Sequence, residues 1–189
     1  MALKNQKELA GLLFGCLAGN SAYLEAVRIA RKHGSGRIWL IGSGVYKTLL
    51  NVLYGSSHAI KDWDFIVERI SAPLKAESGW TAGMTKYGNP KLKKDSLAVD
   101  LIPLNNIHSI KQRGLKADIA HFLSGTPFTI QSLAFDIAGH ALLGEAGIAS
   151  ILTRTAGINN QEEYDYAISM YGDVYLKERY AERLGLKAV

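Results

Sequence analysis

The sequence has a single cysteine, Cys16, and only four prolines among its 189 residues. One cysteine excludes an internal disulfide, and the Cys/His spacing of a zinc site is absent from the sequence. Cys16 stands in a leucine-rich helical pattern, so we predict that its thiol packs in the core and does no chemistry. A lone thiol without a disulfide framework is typical of a reducing compartment.

Long hydrophobic runs are also missing, which argues against a membrane-spanning helix. The N-terminal apolar stretch follows Lys4 and Lys7, is interrupted by Glu8, and spaces its leucines with helical periodicity from Leu9 to Leu17. This pattern favours an amphipathic surface helix over a signal peptide. We therefore expect a cytoplasmic protein with no membrane partner.

The rest of the composition is that of an ordinary soluble domain, with 48% hydrophobic and 21% charged residues. No repeat, low-complexity tract or flexible linker divides the chain, so one compact unit is predicted. Basic residues exceed acidic ones by 22 to 17, a net charge of +5. A basic surface suits polyphosphate or nucleic-acid ligands and gives mild support for such a function.

Periodicity and turn residues predict an α+β or α/β fold, in which a sheet packs against helices. The lysine-rich segment 88–95 is interpreted as a solvated turn at a hairpin tip, and a surface that guides a polyphosphate or nucleic-acid acceptor is the alternative. The predicted helices cover residues 4–18, 20–33, 45–54, one or two stretches within 106–124, and 161–184. The predicted strands cover residues 37–41, 63–68, about 80–87, 96–103, 128–137 and 141–143.

Three features of the sequence together point to chemistry. Gly42 and Ser43 lie between a predicted strand and a helix, where unpaired N–H groups and the helix dipole favour an anion. Asp62 and Asp64 form a D-x-D motif on the next predicted strand, and Asp100 lies inside a later apolar strand. A lone D-x-D motif often lies in a solvated turn, and a Gly-Ser pair often forms a turn without any functional role. An acid inside an apolar strand is more informative, because burying it without a partner is costly.

Strand parity strengthens this combination. Side chains alternate between the two faces of a strand, so Asp62 and Asp64 share one face and Trp63 and Phe65 share the other. The same alternation separates Asp100 from its apolar neighbours. If the apolar faces pack on helices, the three carboxylates converge on one cleft, where cations must lie between them to offset their repulsion. Mg²⁺ binds carboxylate and phosphate oxygens, so one or two Mg²⁺ ions are predicted there.

The segments Ile41-Gly42-Ser43-Gly44-Val45, Asp62-Trp63-Asp64 and Val99-Asp100 resemble the signature of the DNA polymerase β-type nucleotidyltransferases. That signature is a Gly-Ser or Gly-Gly pair on a strand-to-helix turn, an h-D-x-D-h strand and a third acid on a later strand. The segment 128–136 is similar to the F-T-I-N-A-L-A-x-D segment in the head of bacterial poly(A) polymerases and CCA-adding tRNA nucleotidyltransferases. The resemblance covers roughly residues 38–155.

This resemblance implies the nucleotidyltransferase fold, a mixed twisted sheet flanked by helices. Residues 1–155 would form the catalytic domain, and residues 156–189 a C-terminal helical extension of the same compact unit. An NMP would pass from an NTP to an acceptor hydroxyl, on an RNA such as tRNA or on another molecule, with release of pyrophosphate. The cofactor would be two ions of Mg²⁺ or Mn²⁺. The implied site residues are Asp62, Asp64 and Asp100 for catalysis and metal binding, and Gly42, Ser43 and Lys47 for the triphosphate.

Departures from the family pattern keep a second function open. Tyr46 and Lys47 stand where the family has an Arg-Asp pair, and segment 125–127 replaces one that carries phosphate-binding arginines. Lys47 offers a partial substitute, as a point charge without the bidentate fork of arginine. The tail has no E-D-x-x-R template for selecting CTP or ATP. The first hypothesis is a working Mg²⁺-dependent enzyme, and the alternative is a catalytically weak or inactive module that binds nucleotide, RNA or a partner protein.

Tyrosines leave two further alternatives. Tyr46 either stacks on a nucleobase or covers the edge of the core. Tyr164, Tyr171 and Tyr175 recur at helical spacing in the tail, which favours packing against the main domain over a contact with a partner.

Overall fold

The computed structural model describes residues 5–71 and 74–189. Short 3-10 helices cover Leu104–Asn106, Thr129–Gln131 and Gly172–Tyr175. The α-helices are α1 (Gln6–Ala18), α2 (Ser21–His33), α3 (Ser43–Tyr54), α4 (His108–Gln112), α5 (Ile119–Leu123), α6 (Glu145–Thr153), α7 (Gln161–Tyr171) and α8 (Lys177–Arg183). The strands are β1 (Gly34–Ile41), β2 (Asp62–Ile70), β3 (Thr81–Met84), β4 (Pro90–Lys94), β5 (Leu97–Pro103), β6 (Ala134–Asp136), β7 (Ala141–Leu143), β8 (Thr155–Ala156) and β9 (Lys187–Ala188).

Local capping sets the ends of the N-terminal helices. At the start of α1, Asn5 and Glu8 form a capping box: each side chain accepts a hydrogen bond from the other residue's backbone N–H, at 3.0 and 3.1 Å. The side chain of Asn20 caps α2 by accepting a 3.0 Å hydrogen bond from the N–H of Tyr23. Helix α3 ends at Gly55, whose φ of 66° is the left-handed conformation that favours glycine.

Seven strands form one mixed sheet in the order β3-β4-β5-β2-β1-β6-β7. The β2–β5 pair is parallel, and every other neighbouring pair in this sheet is antiparallel. Strands β8 and β9 form a separate two-stranded sheet that ties the end of the chain to the segment after α6. The predicted fold class, a mixed sheet flanked by helices, is confirmed.

The two faces of the large sheet bury different sets of side chains. Trp63, Phe65 and Val67 of β2 belong to the main core, together with the apolar residues of α1, α2 and α3. Ile66 points the other way and packs in a second, smaller cluster. The predicted alternation along β2 is therefore confirmed, and the face that carries Asp62 and Asp64 lies opposite the main core.

One predicted strand is much shorter in the structure. Residues 128–137 were predicted as one strand, yet only Ala134–Asp136 joins the sheet, after a 3-10 turn over Thr129–Gln131. The hydroxyl of Thr129 accepts from the N–H of Gly157, and that of Ser132 donates to the carbonyl of Leu123. These hydrogen bonds to distant backbone hold the segment in a turn.

The predicted lysine-rich turn at 88–95 is also wrong in part, because Pro90–Lys94 forms β4.

The prediction for Cys16 is wrong as well, because this residue is exposed. The buried leucines of α1 are Leu9, Leu13 and Leu17, at spacings of four residues. Cys16 lies outside that stripe, on the solvent side of the helix.

Among the described residues, no single helix is long and apolar enough to cross a membrane. Helices α1 and α2 meet that test of length and composition only as a pair, bent by 97°. Both helices contribute buried apolar residues to the main core, among them Leu13 of α1 and Ile29 of α2.

Candidate active site

Pairing between β2 and β5 brings the three predicted carboxylates together. The parallel register sets Asp64 directly opposite Asp100, and Asp62 lies two residues earlier on the same face of β2. The side chain of Asp62 is 48% exposed, whereas that of Asp100 is only 14% exposed. The acidic cluster, which we define as Asp62, Asp64 and Asp100, therefore has a buried end and an end open to solvent.

A lysine completes this cluster. Strand β4 runs antiparallel to β5 and sets Lys91 opposite Asp100. The Lys91 ammonium lies 3.0 Å from an Asp100 carboxylate oxygen and 3.5 Å from one of Asp62. The sequence did not indicate Lys91 as part of the site, because segment 88–95 was interpreted as a solvated turn. The alternation Lys91-Leu92-Lys93 around the fully buried Leu92 was the available signal for a strand.

The electrostatics of the cluster show a shortage of positive charge. Burial and, to a smaller extent, the neighbouring carboxylates of Asp100 and Asp62 raise the pKa of Asp64 to about 7, against the opposing effect of Lys91. Burial also raises the pKa of Asp100, again against Lys91. Although burial alone would lower the pKa of Lys91, its contacts with Asp100 and Asp62 raise it. The single positive charge of the Lys91 ammonium therefore does not neutralise the negative charge of the three carboxylates.

The donor set fits a divalent cation in chemistry and in charge. Both carboxylate oxygens of Asp100 lie close to the Lys91 ammonium, Oδ1 at 3.0 Å and Oδ2 at 3.3 Å, so a cation already occupies the position next to this carboxylate. Carboxylate oxygens are the ligands that Mg²⁺ and Mn²⁺ prefer. Within residues 5–71 and 74–189, no three His, Cys, Asp or Glu side chains are already arranged to hold a metal ion. The Lys91 ammonium stands between Asp62 and Asp100 instead.

Gly42 and Ser43 lie beside this cluster at the start of α3. Strand β1 pairs Ile41 with Asp64, so Gly42 follows next to that carboxylate. Gly42 has φ 65° and ψ −145°, and a Cβ atom there would lie 2.9 Å from Asp64 Oδ2. No side chain caps the N-terminus of α3, which leaves its first N–H groups open to an anion.

Lys47, the other predicted phosphate ligand, is engaged elsewhere. Its ammonium donates a 2.8 Å hydrogen bond to the carbonyl of Ala59. Burial and the nearby charges of Arg183 and Lys61 lower the pKa of Lys47. Contact between Lys47 and a phosphate therefore requires this hydrogen bond to break.

If Gly42 belongs to a triphosphate site, as the sequence predicts, its replacement with alanine is expected to weaken the binding of a metal–NTP complex about tenfold, because the methyl group presses on Asp64 and strains the backbone beside the α3 N-terminus. Gly55→Ala is the matched control, because Gly55 has nearly the same φ of 66° but open space around its Cβ position. Calorimetric titration with NTP would measure the change in affinity, and urea unfolding would measure the change in stability. Gly55→Ala should lose roughly 1 kcal/mol of stability, and Gly42→Ala should lose more, because its φ of 65° with ψ −145° is a conformation that essentially only glycine adopts and its methyl group meets Asp64. Equal NTP affinity in the two variants would contradict the placement of Gly42 at the site.

Two cavities adjoin each other, and the smaller one reaches Asp64 of the acidic cluster. The small cavity, of about 350 Å³, is lined by Gly42, Ser43 and Asp64 at one end. The large cavity, of about 580 Å³, has a floor of Ile41, Ile66 and other isoleucines and a wall of tyrosines. Several residues line both cavities, so the two lie side by side. The residues shared by both are Ile41, Ile107, His108, Phe122, Pro127, Gln131, Glu163 and Tyr175.

A contact between a half-buried histidine and a buried glutamate lies where the two cavities meet. Nδ1 of His108 is 3.1 and 3.3 Å from the two carboxylate oxygens of Glu163, and the imidazole stacks on Tyr166 at 4.0 Å. Glu163 is only 7% exposed, and burial raises its pKa against the opposing effect of His108. Sequence reasoning missed this pair, because the residues are 55 positions apart and belong to no shared motif.

The tyrosines lie partly in the core and partly along the cavities. Tyr46 is 8% exposed and belongs to the main core, where its hydroxyl accepts a 3.2 Å hydrogen bond from Tyr180. It covers the core edge, and it also lines the small cavity. Tyr164 and Tyr175 pack on Phe128 of the main domain as predicted. Tyr171 is 40% exposed and stacks on Tyr175 at the rim of the large cavity.

No family model and no curated protein matches this sequence. Solved structures do match its fold. The complex of a CCA-adding enzyme with ATP aligns with a TM-score of 0.60 at 14% identity, over 96% of this chain and 42% of that chain. A tRNA nucleotidyltransferase complexed with a primer tRNA and an incoming ATP analogue aligns with a TM-score of 0.54 at 18% identity, over 87% of this chain and 46% of that one.

A third match is the Bacillus stearothermophilus CCA-adding enzyme in complex with CTP, with a TM-score of 0.54 at 14% identity, over 90% of this chain and 41% of that one. The present chain thus spans less than half the length of each of these proteins. Identity this low describes architecture and leaves substrates open. With its seven-stranded mixed sheet and flanking helices, the chain has a fold like that of nucleotidyltransferase head domains.

Proposed function

We propose that this protein is a Mg²⁺-dependent nucleotidyltransferase that moves an NMP from an NTP to an acceptor hydroxyl and releases pyrophosphate. The observation that carries the proposal is the β2–β5 register, which sets Asp64 opposite Asp100 with Asp62 on the same face. Next to these carboxylates lies the uncapped N-terminus of α3. A carboxylate cluster beside an anion site is the combination that handling a metal–triphosphate requires.

In this mechanism Asp62, Asp64 and Asp100 would hold two Mg²⁺ or Mn²⁺ ions. When bound, such ions lower the pKa of an attacking hydroxyl and neutralise charge on a leaving pyrophosphate. The N–H groups that follow Gly42, with the hydroxyl of Ser43, would hold the triphosphate, and Lys47 would join them after leaving Ala59. The acceptor oxygen bonds to the α-phosphorus as the bond from that phosphorus to the β-phosphate oxygen breaks, so pyrophosphate leaves in line.

The large cavity is the proposed location of the nucleobase. Its isoleucine floor and tyrosine wall offer apolar and stacking contacts, and Glu163 and His108 offer polar ones. The acceptor is an RNA, such as a tRNA, or another molecule with a free hydroxyl, and the net charge of +5 favours RNA. We further propose that residues 156–189 form a helical extension of a catalytic domain within 1–155.

Calorimetric titration with each of the four NTPs and Mg²⁺ or Mn²⁺ tests the triphosphate site. Wild type should bind at least one NTP only when the metal is present, and the Asp62→Asn/Asp64→Asn variant should lose that binding, because the metal loses carboxylate ligands. The NTP that binds most tightly would then be offered with candidate acceptors in a pyrophosphate-release assay. Equal NTP binding by wild type and the double variant would sink the proposal.

The second candidate function is a nucleotide- or RNA-binding module without turnover. Two observations favour it: the ammonium of Lys91 already stands between Asp62 and Asp100, and that of Lys47 is bonded to Ala59. Metal-independent nucleotide binding without pyrophosphate release on any acceptor would select this candidate over the enzyme.

A further inference from the structure

We propose that Lys91 is an internal counter-cation that a metal ion must displace from the acidic cluster, and that its displacement couples metal binding to nucleotide binding. This inference rests on the metal site of the proposed function. It assigns to Lys91 a role in setting metal affinity, a role that no part of the transfer reaction requires.

The position of Lys91 is built into the sheet. Leu92 is fully buried in the main core, so its neighbour Lys91 faces the opposite side of β4. The antiparallel register then sets Lys91 across from Asp100. Its side chain is 21% exposed, whereas Lys93 and Lys94 on the same strand are exposed. Lys91 is therefore held in the cluster by strand geometry, and its long side chain still has a route to solvent.

The contacts of Lys91 make it a competitor for a metal ion. Its ammonium lies 3.0 Å from Asp100 and 3.5 Å from Asp62, which leaves no space for a second cation between these two carboxylates. A metal ion bound next to the Lys91 ammonium would also be repelled strongly by its positive charge. A metal ion that uses Asp62 and Asp100 together must therefore move the ammonium away.

A displaced ammonium needs a new anionic partner. The α3 N-terminus, where the triphosphate is proposed to bind, lies beside Asp64, and Asp64 is opposite Asp100 in the register. The triphosphate of an NTP would thus offer Lys91 phosphate oxygens close to its present position. Metal binding frees Lys91 for the nucleotide, and the nucleotide stabilises the freed lysine. Such coupling is reciprocal, so each ligand tightens the other.

The test measures Mn²⁺ binding directly, through the electron paramagnetic resonance signal of free Mn²⁺, with and without a non-hydrolysable NTP analogue. Lys91→Met should bind Mn²⁺ alone about tenfold more tightly than wild type, because the competing charge is gone. The analogue should tighten Mn²⁺ binding in wild type and have a smaller effect in Lys91→Met. Lys94→Met is the matched control, since it removes the same charge from the same strand on the opposite face, and it should behave as wild type.

Two further results keep this test decisive. Lys91→Arg retains the positive charge and should keep the weak Mn²⁺ binding of wild type. If Lys91→Met folds poorly, this variant distinguishes the effect of the lost charge from the effect of lost packing. Equal Mn²⁺ affinity in wild type and a folded Lys91→Met would overturn the inference and leave the proposed function standing. Absence of Mn²⁺ binding in both would overturn the inference together with the metal site. The expected Mn²⁺ pattern without NMP transfer to any acceptor would support the inference and count against the enzyme.

Discussion

Replacing Asp64 with asparagine is expected to lower NMP transfer by about a thousandfold or more, because the proposed metal site loses the carboxylate that lies opposite Asp100 in the sheet. Pyrophosphate release with the preferred NTP and acceptor measures the loss. Asp95→Asn is the control, since Asp95 is an exposed carboxylate in the β4–β5 turn with φ 51°, a conformation that asparagine tolerates. Transfer by Asp64→Asn at the wild-type rate would remove Asp64 from the mechanism.

The same substitution is expected to stabilise the metal-free fold, with a defined dependence on pH. The pKa of Asp64 is raised from 3.8 to about 7, so the folded state holds a proton that the unfolded state has lost between these values. Wild-type stability therefore falls as the pH rises through this window, and the full penalty, roughly 2–4 kcal/mol, is present above pH 7. Asparagine carries no such penalty.

Urea unfolding of both proteins at pH 5, 6, 7 and 8, in the presence of a chelator, measures this effect. The free energy of unfolding of Asp64→Asn minus that of wild type should grow with pH and level off above pH 7. The difference is the informative quantity, because it cancels other titrating groups such as His33, whose pKa burial lowers. A difference that stays constant across this range would show that Asp64 is ionised throughout in the folded protein.

Replacing Tyr180 with alanine is expected to lower the free energy of unfolding by about 3–5 kcal/mol. The ring is 2% exposed and stacks on Phe128 with 4.1 Å between centroids. Its hydroxyl accepts from Gln131 and donates to Tyr46, at 2.9 and 3.2 Å. Tyr180 thus joins α8 to the main core, and its loss leaves both a cavity and unpaired polar groups.

This substitution also tests whether the predicted extension at 156–189 folds as one unit with the rest. All three tryptophans, Trp39, Trp63 and Trp80, precede residue 155, so their fluorescence reports on the main domain. Far-ultraviolet circular dichroism includes the helices of the tail. The two signals should change together in a single transition, for wild type and for Tyr180→Ala at lower urea. Tyr180→Phe, which keeps the ring, should lose only about 1 kcal/mol. Loss of helix signal before any fluorescence change would show that the tail unfolds by itself.

The part of the site that lies on one strand was predictable, because side-chain alternation has a fixed period of two. The placement of Asp62 and Asp64 opposite Trp63 and Phe65 needed no knowledge of the partner strands. The sequence also indicated that Asp100 would join them, since a charged residue in an apolar strand needs a partner.

The contacts between strands were not predictable in the same way. Lys91 reaches the cluster only through the register of β4 against β5, and register depends on turn geometry and on the packing of Leu92. The Gly88-Asn89-Pro90 sequence correctly indicated a turn, but that turn is confined to residues near Gly88. The lysines after it belong to strand β4. Glu163 and His108 meet only because α7 docks against α4, which no local pattern encodes.

The parallel pairing of β2 with β5 has a consequence for how the molecule folds. Strands β3, β4 and β5 follow one another as antiparallel neighbours, so they close short loops, whereas β2 must join β5 across the whole of this meander. Strand β1 must likewise pair with β6, and Arg37 bonds Asp136 across 99 positions. Contacts so distant along the chain raise the entropic barrier and slow folding. We therefore expect the meander to form early and the carboxylates to meet late, after most of the apolar surface is already buried.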